Sequence, residues 1–119
     1  MTKEKRMIVY NKFGGHCAYC GVKLKYKELQ VDHIKAQHKM RNQKRKVIDD
    51  IDNLYPSCRQ CNWYKRINSI NVFRKLIATM HIRLEKVFIY KLAKKYGIVK
   101  ESKWNGKFYF ETYKKDEKK

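Results

Sequence analysis

The hydrophobic and polar positions in the first half of the chain predict a strand, a loop, a second strand and a helix. Residues 29–34 (LQVDHI) alternate between apolar and polar side chains, which predicts a short strand. Residues 35–46 are basic and carry no apolar period, which predicts a loop. Residues 53–58 (NLYPSC) predict a second strand or extended segment, and Pro56 restricts it to a sheet edge or to the approach to the next turn. Residues 59–67 (RQCNWYKRI) are then expected to form a helix.

Two shorter elements are expected nearer the ends of the chain. Residues 3–13 predict a helix that Gly14 and Gly15 end, since glycine readily leaves the helical conformation. Residues 107–112 (KFYFET) are rich in aromatic side chains, which favours a C-terminal strand.

The longest periodic segment, residues 71–96, predicts an amphipathic helix. Ser69 or Asn71 is its expected N-cap, and Gly97 follows its expected end. Two helices with a break near Met80–His81 are the alternative. The apolar stripe is expected to be core or a dimer face, and it comprises Val72, Phe73, Leu76, Ile77, Met80, Leu84, Val87, Phe88 and Leu92.

The charge of the chain narrows the class of its partner. The 119 residues are near the common domain size, so we expect a single domain over 1–119. With 30 basic and 11 acidic residues the net charge is +19. The positive side chains repel one another and destabilise the folded state unless a polyanion such as nucleic acid neutralises them. An anionic membrane surface is the alternative, but the basic residues are spread along the chain and no long apolar run exists. Residues 1–10 show no signal-peptide pattern, so we expect a soluble, cytoplasmic protein.

Four cysteines form two C-x-x-C pairs, Cys17 with Cys20 and Cys58 with Cys61. Two such pairs in a small basic chain favour a tetrahedral zinc site without an open position, which would be structural. Two disulfides and a redox pair are the alternatives, and the first conflicts with the reducing interior of the cell. Zinc binding would then be coupled to folding.

Several side chains suited to catalysis are expected to converge beside this zinc site. An acid next to a histidine is common on protein surfaces, so Asp32 and His33 alone indicate little. Asn53 begins the second predicted strand, and Asn62 directly follows the last cysteine, with Lys65 one turn further along the same helix face. If the strands pair and the cysteines fix the helix, these groups lie in one small space.

The motifs VDHI, DNLYPSC and CNWYK, framed by the two C-x-x-C pairs, resemble the HNH endonuclease family. The resemblance covers residues 17–65 and implies a ββα-metal core of the α+β class, treble-clef-like, with flanking helices and a C-terminal strand. A core motif over 17–67 and an extension over 69–112 are expected. The extension is similar to that of small free-standing HNH proteins, many of them encoded by phages and prophages.

The resemblance implies a role for each candidate residue. His33 matches the general base that activates water, and Asp32 and Asn62 match the ligands of a catalytic divalent ion. Asn53 matches the residue that orients the histidine, and Lys65 matches a basic residue suited to a phosphate. The reaction implied is hydrolysis of DNA, double-stranded DNA being the expected substrate. Oxygen ligands favour Mg²⁺ or Mn²⁺ at this second site.

The chain departs from the family pattern after the Asp-His pair, where a proline and a glycine-containing turn are common. The basic loop in this place is expected either to bind phosphate or to be merely solvated. His38 lies in it and is assigned no catalytic role, and Asp49, Asp50 and Asp52 are expected to cap or balance the loop rather than bind metal. The residues expected to contact nucleic acid are Lys39, Arg41, Lys44, Arg45, Lys46, Lys65 and Arg66.

The competing function is a non-catalytic zinc module that binds DNA or RNA, which the charge and the cysteine pairs fit equally well. Against it stands the set of Asp32, His33, Asn53 and Asn62, which a binding module has no need to hold together. A homodimer is possible. The target sequence, nicking or double-strand cleavage, and a role in packaging, homing, restriction or toxicity all stay open.

Overall fold

The structure is a computed structural model, and it describes residues 1–35 and 50–114. The strands are β1 (Gln30–His33) and β2 (Leu54–Ser57). The α-helices, numbered along the described residues, are α1 (Lys3–Asn11), α2 (Arg59–Lys65), α3 (Ile70–Ala78), α4 (Met80–Leu84), α5 (Phe88–Lys95) and α6 (Tyr109–Thr112). Together they confirm the expected α+β class.

The two strands form an antiparallel pair whose register determines which candidate residues are neighbours. Asp32 lies opposite Tyr55, and His33 lies opposite Leu54. Pro56 occupies the middle of β2 opposite Val31, as predicted for an edge strand. Proline has no N–H to donate, and at a sheet edge this costs no hydrogen bond to a further strand.

Helix α2 begins at the second cysteine pair, as predicted. Cys58 is its N-cap, and the Cys58 sulfur accepts a hydrogen bond from the Cys61 N–H at 3.4 Å. The helix packs against β1 and completes a ββα unit. The cysteine pair therefore determines both where the helix begins and how it faces the sheet.

The predicted long helix over 71–96 is wrong, because three short helices take its place. Ser69 caps α3 as expected, but the helix ends at Thr79, whose hydroxyl donates to the Lys75 carbonyl at 2.7 Å. Arg83 of α4 donates to the Leu76 carbonyl near the end of α3, so the break near residue 80 is stabilised by a side chain. None of the helices in the described ranges is long and apolar enough to cross a membrane.

The apolar stripe of this segment is core only at its beginning. Phe73 is buried, whereas Val87 and Phe88 are exposed, Phe88 to 71%. The breaks after α3 and α4 turn the later apolar positions away from the core. A regular period predicted one continuous buried face, and the broken helix does not provide it.

The predicted C-terminal strand is also wrong, because residues 109–112 form the short helix α6. The Glu111 carboxylate accepts a hydrogen bond from the Phe108 N–H at 2.8 Å and so closes a helical turn. The start of α6 docks on the first cysteine pair, since the Phe110 N–H donates to the Ala18 carbonyl at 2.7 Å. Local capping therefore overrides the strand preference of the aromatic residues.

The core of the described residues is mainly aromatic and joins the two halves of the chain. Phe73 of α3 and Phe108 stack with ring centroids 5.1 Å apart. Tyr19, from the first cysteine pair, packs edge-on against both rings at 5.3 and 5.4 Å. The C-terminal helices thus cover the back of the cysteine site.

Candidate metal centre and active site

The four cysteines converge in one cluster, which we call the cysteine cluster (Cys17, Cys20, Cys58 and Cys61). Their sulfur atoms all lie within 4.8 Å of one another. All four thiols are free, and the sulfurs of Cys20 and Cys58 are 3.8 Å apart, far longer than a disulfide bond. About 3.8 Å is the sulfur–sulfur edge of a tetrahedron with zinc–sulfur bonds of about 2.3 Å. The cluster therefore has the ligands and the spacing of a four-cysteine zinc site.

A tight turn holds the first pair of this cluster. The Gly21 N–H donates to the Cys17 carbonyl at 3.0 Å, and Gly21 has a φ of +81°, which side chains rarely adopt. A Cβ atom at this position would also lie 2.7 Å from the Tyr109 ring. Glycine is thus required here by both the turn and the packing of α6.

The chemistry of the thiols also fits a cation. Hydrogen bonds with Cys20 and Cys61 lower the pKa of Cys17, while hydrogen bonding to Cys17 raises the pKa of Cys61 and that of Cys20, the latter to about 11. Four thiolates this close repel one another unless a positive ion lies among them. Zinc would supply that charge, and its binding free energy would then contribute to folding.

Asp32 is buried on β1, with 5% of its surface exposed, and it is held by two other side chains. The Tyr19 hydroxyl donates to the Oδ2 atom of Asp32 at 2.6 Å. The Lys65 Nζ atom of α2 lies 3.0 Å from the same oxygen. A carboxylate at this depth needs such partners, because transfer of a charge out of water is costly.

His33 and Asn53 lie at the neighbouring ends of the two strands. The Asn53 carbonyl accepts from the Ile34 N–H at 2.9 Å, directly after His33. The Asn53 side chain accepts from the Lys35 N–H at 2.9 Å and donates to the Lys35 carbonyl at 3.3 Å. Asn53 therefore holds the backbone of the two residues that follow His33.

The position of Asn62 on α2 indicates which face of the helix it shares. It precedes Lys65 by three residues, so the two side chains share one face of the helix. Since Lys65 reaches Asp32, that face is directed at β1. Asn62 is half-buried there. A carboxylate and an amide, both with oxygen donors suited to Mg²⁺ or Mn²⁺, thus come from the two elements that pack together.

The same segment matches a known family. Residues 17–66 match the family model for HNH endonuclease. The match covers 50 of the 119 residues, less than half of the chain. No curated protein and no solved structure matches the chain significantly. The matched segment includes the cysteine cluster, both strands and α2.

Lys65, within the matched segment, occupies a different place from the one expected of a phosphate contact. Its side chain is buried, and its amine is directed at Asp32. The ion pair is not well directed, because the Nζ atom makes no hydrogen bond of good geometry despite the 3.0 Å separation. In this arrangement Arg66 is the exposed cation at the end of α2.

Of the two acidic residues before β2 that the structure describes, Asp50 acts as a cap. The Asp50 carboxylate accepts from the Asp52 N–H at 2.9 Å and begins the 3-10 turn Ile51–Asn53. Asp49, His38 and the basic residues Lys39, Arg41, Lys44, Arg45 and Lys46 lie outside the described residues. Their expected contacts with nucleic acid stay predictions.

Two residues that matter for the site were not singled out from the sequence. Tyr19 lies between the first two cysteines, where any residue is compatible with the motif. Burial, followed by the charge of Asp32, raises the pKa of its phenol, which therefore stays a donor. Lys12, the C-cap of α1, donates to the carbonyls of Ile51 and Leu54, at 2.6 and 3.1 Å, and so braces the turn that carries Asn53. In the sequence, Lys12 looks like an ordinary exposed lysine at the end of a helix, so this contact could not be predicted.

Proposed function

We propose that the protein is a metal-dependent endonuclease that hydrolyses phosphodiester bonds in DNA. The observation that carries the proposal is the coincidence of the HNH family match with a ββα unit that bears Asp32, His33, Asn53 and Asn62. A binding module needs the cysteine cluster and positive charge, but it does not need this set.

In the proposed reaction His33 takes a proton from the attacking water, which a neutral imidazole can do near neutral pH. Asn53 holds the backbone after His33 and thereby limits where the imidazole lies. Asp32 and Asn62 would hold a divalent ion. Such an ion, Mg²⁺ or Mn²⁺, would neutralise the charge that develops on the phosphate.

The proposed DNA-binding surface includes the outward face of α2. Arg59, Trp63 and Arg66 are exposed on it, Trp63 to 70%. Arg66 has a φ of +54°, a conformation that costs free energy for a residue with a side chain and that is often found at functional sites. A large exposed aromatic ring between two guanidinium groups is suited to bases and phosphates. The net charge of +19 favours the same partner.

The alternative function, a non-catalytic zinc module that binds DNA or RNA, is favoured by one observation. Asp32 already has a buried cationic partner in Lys65, as a purely structural carboxylate would. In that case Asp32 would stabilise the fold and would not take part in chemistry.

The test is cleavage of supercoiled plasmid by zinc-loaded protein that has been dialysed free of other divalent ions. We expect no cleavage without added metal and nicked or linear product with Mg²⁺ or Mn²⁺. Zinc content is measured before and after, because a chelator also removes structural zinc. His33→Ala should bind the plasmid as tightly as the wild type but cleave it about 10²–10⁴-fold more slowly. Binding without cleavage in any divalent metal would instead identify the binding module.

A further inference from the structure

Both contacts of the buried Asp32 carboxylate are made by one oxygen atom. The Tyr19 hydroxyl and the Lys65 amine lie 2.6 and 3.0 Å from Oδ2, and neither contact involves Oδ1. The phenol is fixed in turn by its packing against Phe73 and Phe108. Asp32 therefore has a fixed orientation in which its two oxygens are not equivalent.

Among the described residues in contact with it, Asp32 has its charge balanced before any ion binds. The negative charge of Asp32 is opposed by the positive charge of Lys65, whose side chain is sealed from solvent. Burial weakens solvent screening, so this positive charge acts strongly on any second cation nearby. The other proposed ligand, Asn62, is neutral. A divalent ion entering this site gains little net attraction from the protein alone.

We infer that Tyr19 and Lys65 are positioning residues that hold Oδ2 and leave Oδ1 to the divalent ion, and that Lys65 keeps ion binding weak until DNA arrives. This inference rests on the proposed function. A phosphate of the DNA supplies the negative charge that the free protein lacks, so the ion and the DNA bind cooperatively. Free protein in the presence of Mg²⁺ would then be largely without its catalytic ion.

The first test measures Mn²⁺ binding by zinc-loaded protein without DNA, from the electron paramagnetic resonance signal of the free ion. We expect Lys65→Met, which keeps the length of the side chain but removes the charge, to bind Mn²⁺ about tenfold more tightly than the wild type or better. Lys65→Arg keeps the charge and should bind as weakly as the wild type. Lys91→Met, at an exposed position of α5, is the matched control and should change nothing. A Lys65→Met variant that binds Mn²⁺ no more tightly than the wild type overturns the inference.

A second test does not depend on the folding of Lys65→Met. His33→Ala is titrated with Mn²⁺ in the presence and absence of a short DNA duplex, and the double variant with Asp32→Asn accounts for ions that the DNA itself binds. We expect the Asp32-dependent affinity to rise at least about tenfold with DNA. Equal affinity with and without DNA overturns the inference, although plasmid cleavage by the wild type would still support the proposed function. Absence of cleavage by the wild type, by contrast, counts against the proposed function itself.

Discussion

Cys58 follows β2 and belongs to a cluster whose sulfur atoms lie within 4.8 Å of one another, whereas Asn53 precedes β2 and lies beside His33. The C-terminal end of β2 leads into the cysteine cluster, whose four ligands are of the same kind and are all supplied by this chain. The N-terminal end, next to Asn53, lies beside His33 and close to Asp32, and we propose that the free protein holds a catalytic ion there only weakly. One short strand thus connects a complete metal site to one that we propose is completed by DNA.

Under the proposed function, this difference would separate the stability of a small domain from its catalysis. A four-thiolate site binds zinc permanently and contributes to folding. A catalytic ion has to meet a phosphate, so its site must retain open positions and can be weak. The two ends of β2 can meet these demands separately because the strand and α2 are fixed relative to each other by the cysteine cluster.

The largest expected effect comes from disrupting the cysteine cluster at the C-terminal end of β2. Cys58→Ser should abolish zinc binding and folding together, since it removes one of the four proposed zinc ligands, whereas serine can still cap α2. The loss should be comparable to the whole stability of a small domain, about 5 kcal/mol or more. Zinc content and far-ultraviolet circular dichroism measure it. Ser57→Ala is a neighbouring control outside the cluster, and a folded, active Cys58→Ser protein would refute the four-cysteine site.

The next effect should appear at the other end of β2 and should leave the fold intact. Asn53→Ala removes the side chain that holds the backbone of Lys35 and should slow cleavage about 10–100-fold, because the position of His33 becomes less defined. Single-turnover cleavage rates measure it, with thermal unfolding as a check on stability.

The matched control for this change is Asn105→Ala. Its side chain accepts from the Lys107 N–H at 3.0 Å in a turn within the C-terminal part of the chain. Its loss should not change the cleavage rate. Equal slowing by the two variants would indicate that Asn53 acts only through general stability.

The same comparison explains what could be predicted from the sequence. The cysteine cluster could be predicted because two C-x-x-C pairs in a small basic chain favour one shared site, and the strands could be predicted from alternation and from Pro56 at an edge. The contacts of Asp32 were not evident. Tyr19 occupies a position that the cysteine motif leaves unspecified, and Lys65 is of a residue type that is seldom buried.

The errors lie where a local contact overrides a pattern. The apolar period over 71–96 continues through Thr79, but the hydroxyl of that residue bonds the preceding turn and the helix ends there. The aromatic residues at 107–112 favour a strand, but Glu111 closes a helical turn and pairs with Arg74. Neither side chain differs from an ordinary surface residue until its partner is known.

A smaller effect on stability should show whether a hydrogen bond to the Asp32 carboxylate contributes more than one to a neutral carbonyl. Tyr19→Phe removes a hydrogen bond to a buried charge and should lower the free energy of unfolding by about 1.5–3 kcal/mol. Tyr10→Phe removes a hydrogen bond of the same 2.6 Å length to the Leu24 carbonyl and should cost about 1 kcal/mol. Urea unfolding at fixed zinc concentration gives both values. Equal losses would mean that the charge of Asp32 contributes nothing to the contact.

The smallest effect is expected far from both ends of β2, where Arg74 and Glu111 join α3 to α6. Two hydrogen bonds of 2.6 and 2.8 Å link them, and the Arg74 guanidinium lowers the pKa of the Glu111 carboxyl. Because both groups are partly exposed, Glu111→Gln should lower the free energy of unfolding by only about 1 kcal/mol.

The pH dependence of this contact has a definite sign. A lowered pKa in the folded state means that the contribution of Glu111 is present above the ordinary pKa of a glutamate and disappears as the pH falls through the lowered value. The wild type and Glu111→Gln should therefore differ in stability at neutral pH and converge in acid. Thermal unfolding at a series of pH values tests this, with the metal load checked at each one. A difference that persists in acid would show that the side chain acts by packing, and then the charge of Glu111 would contribute nothing to holding α6 against α3.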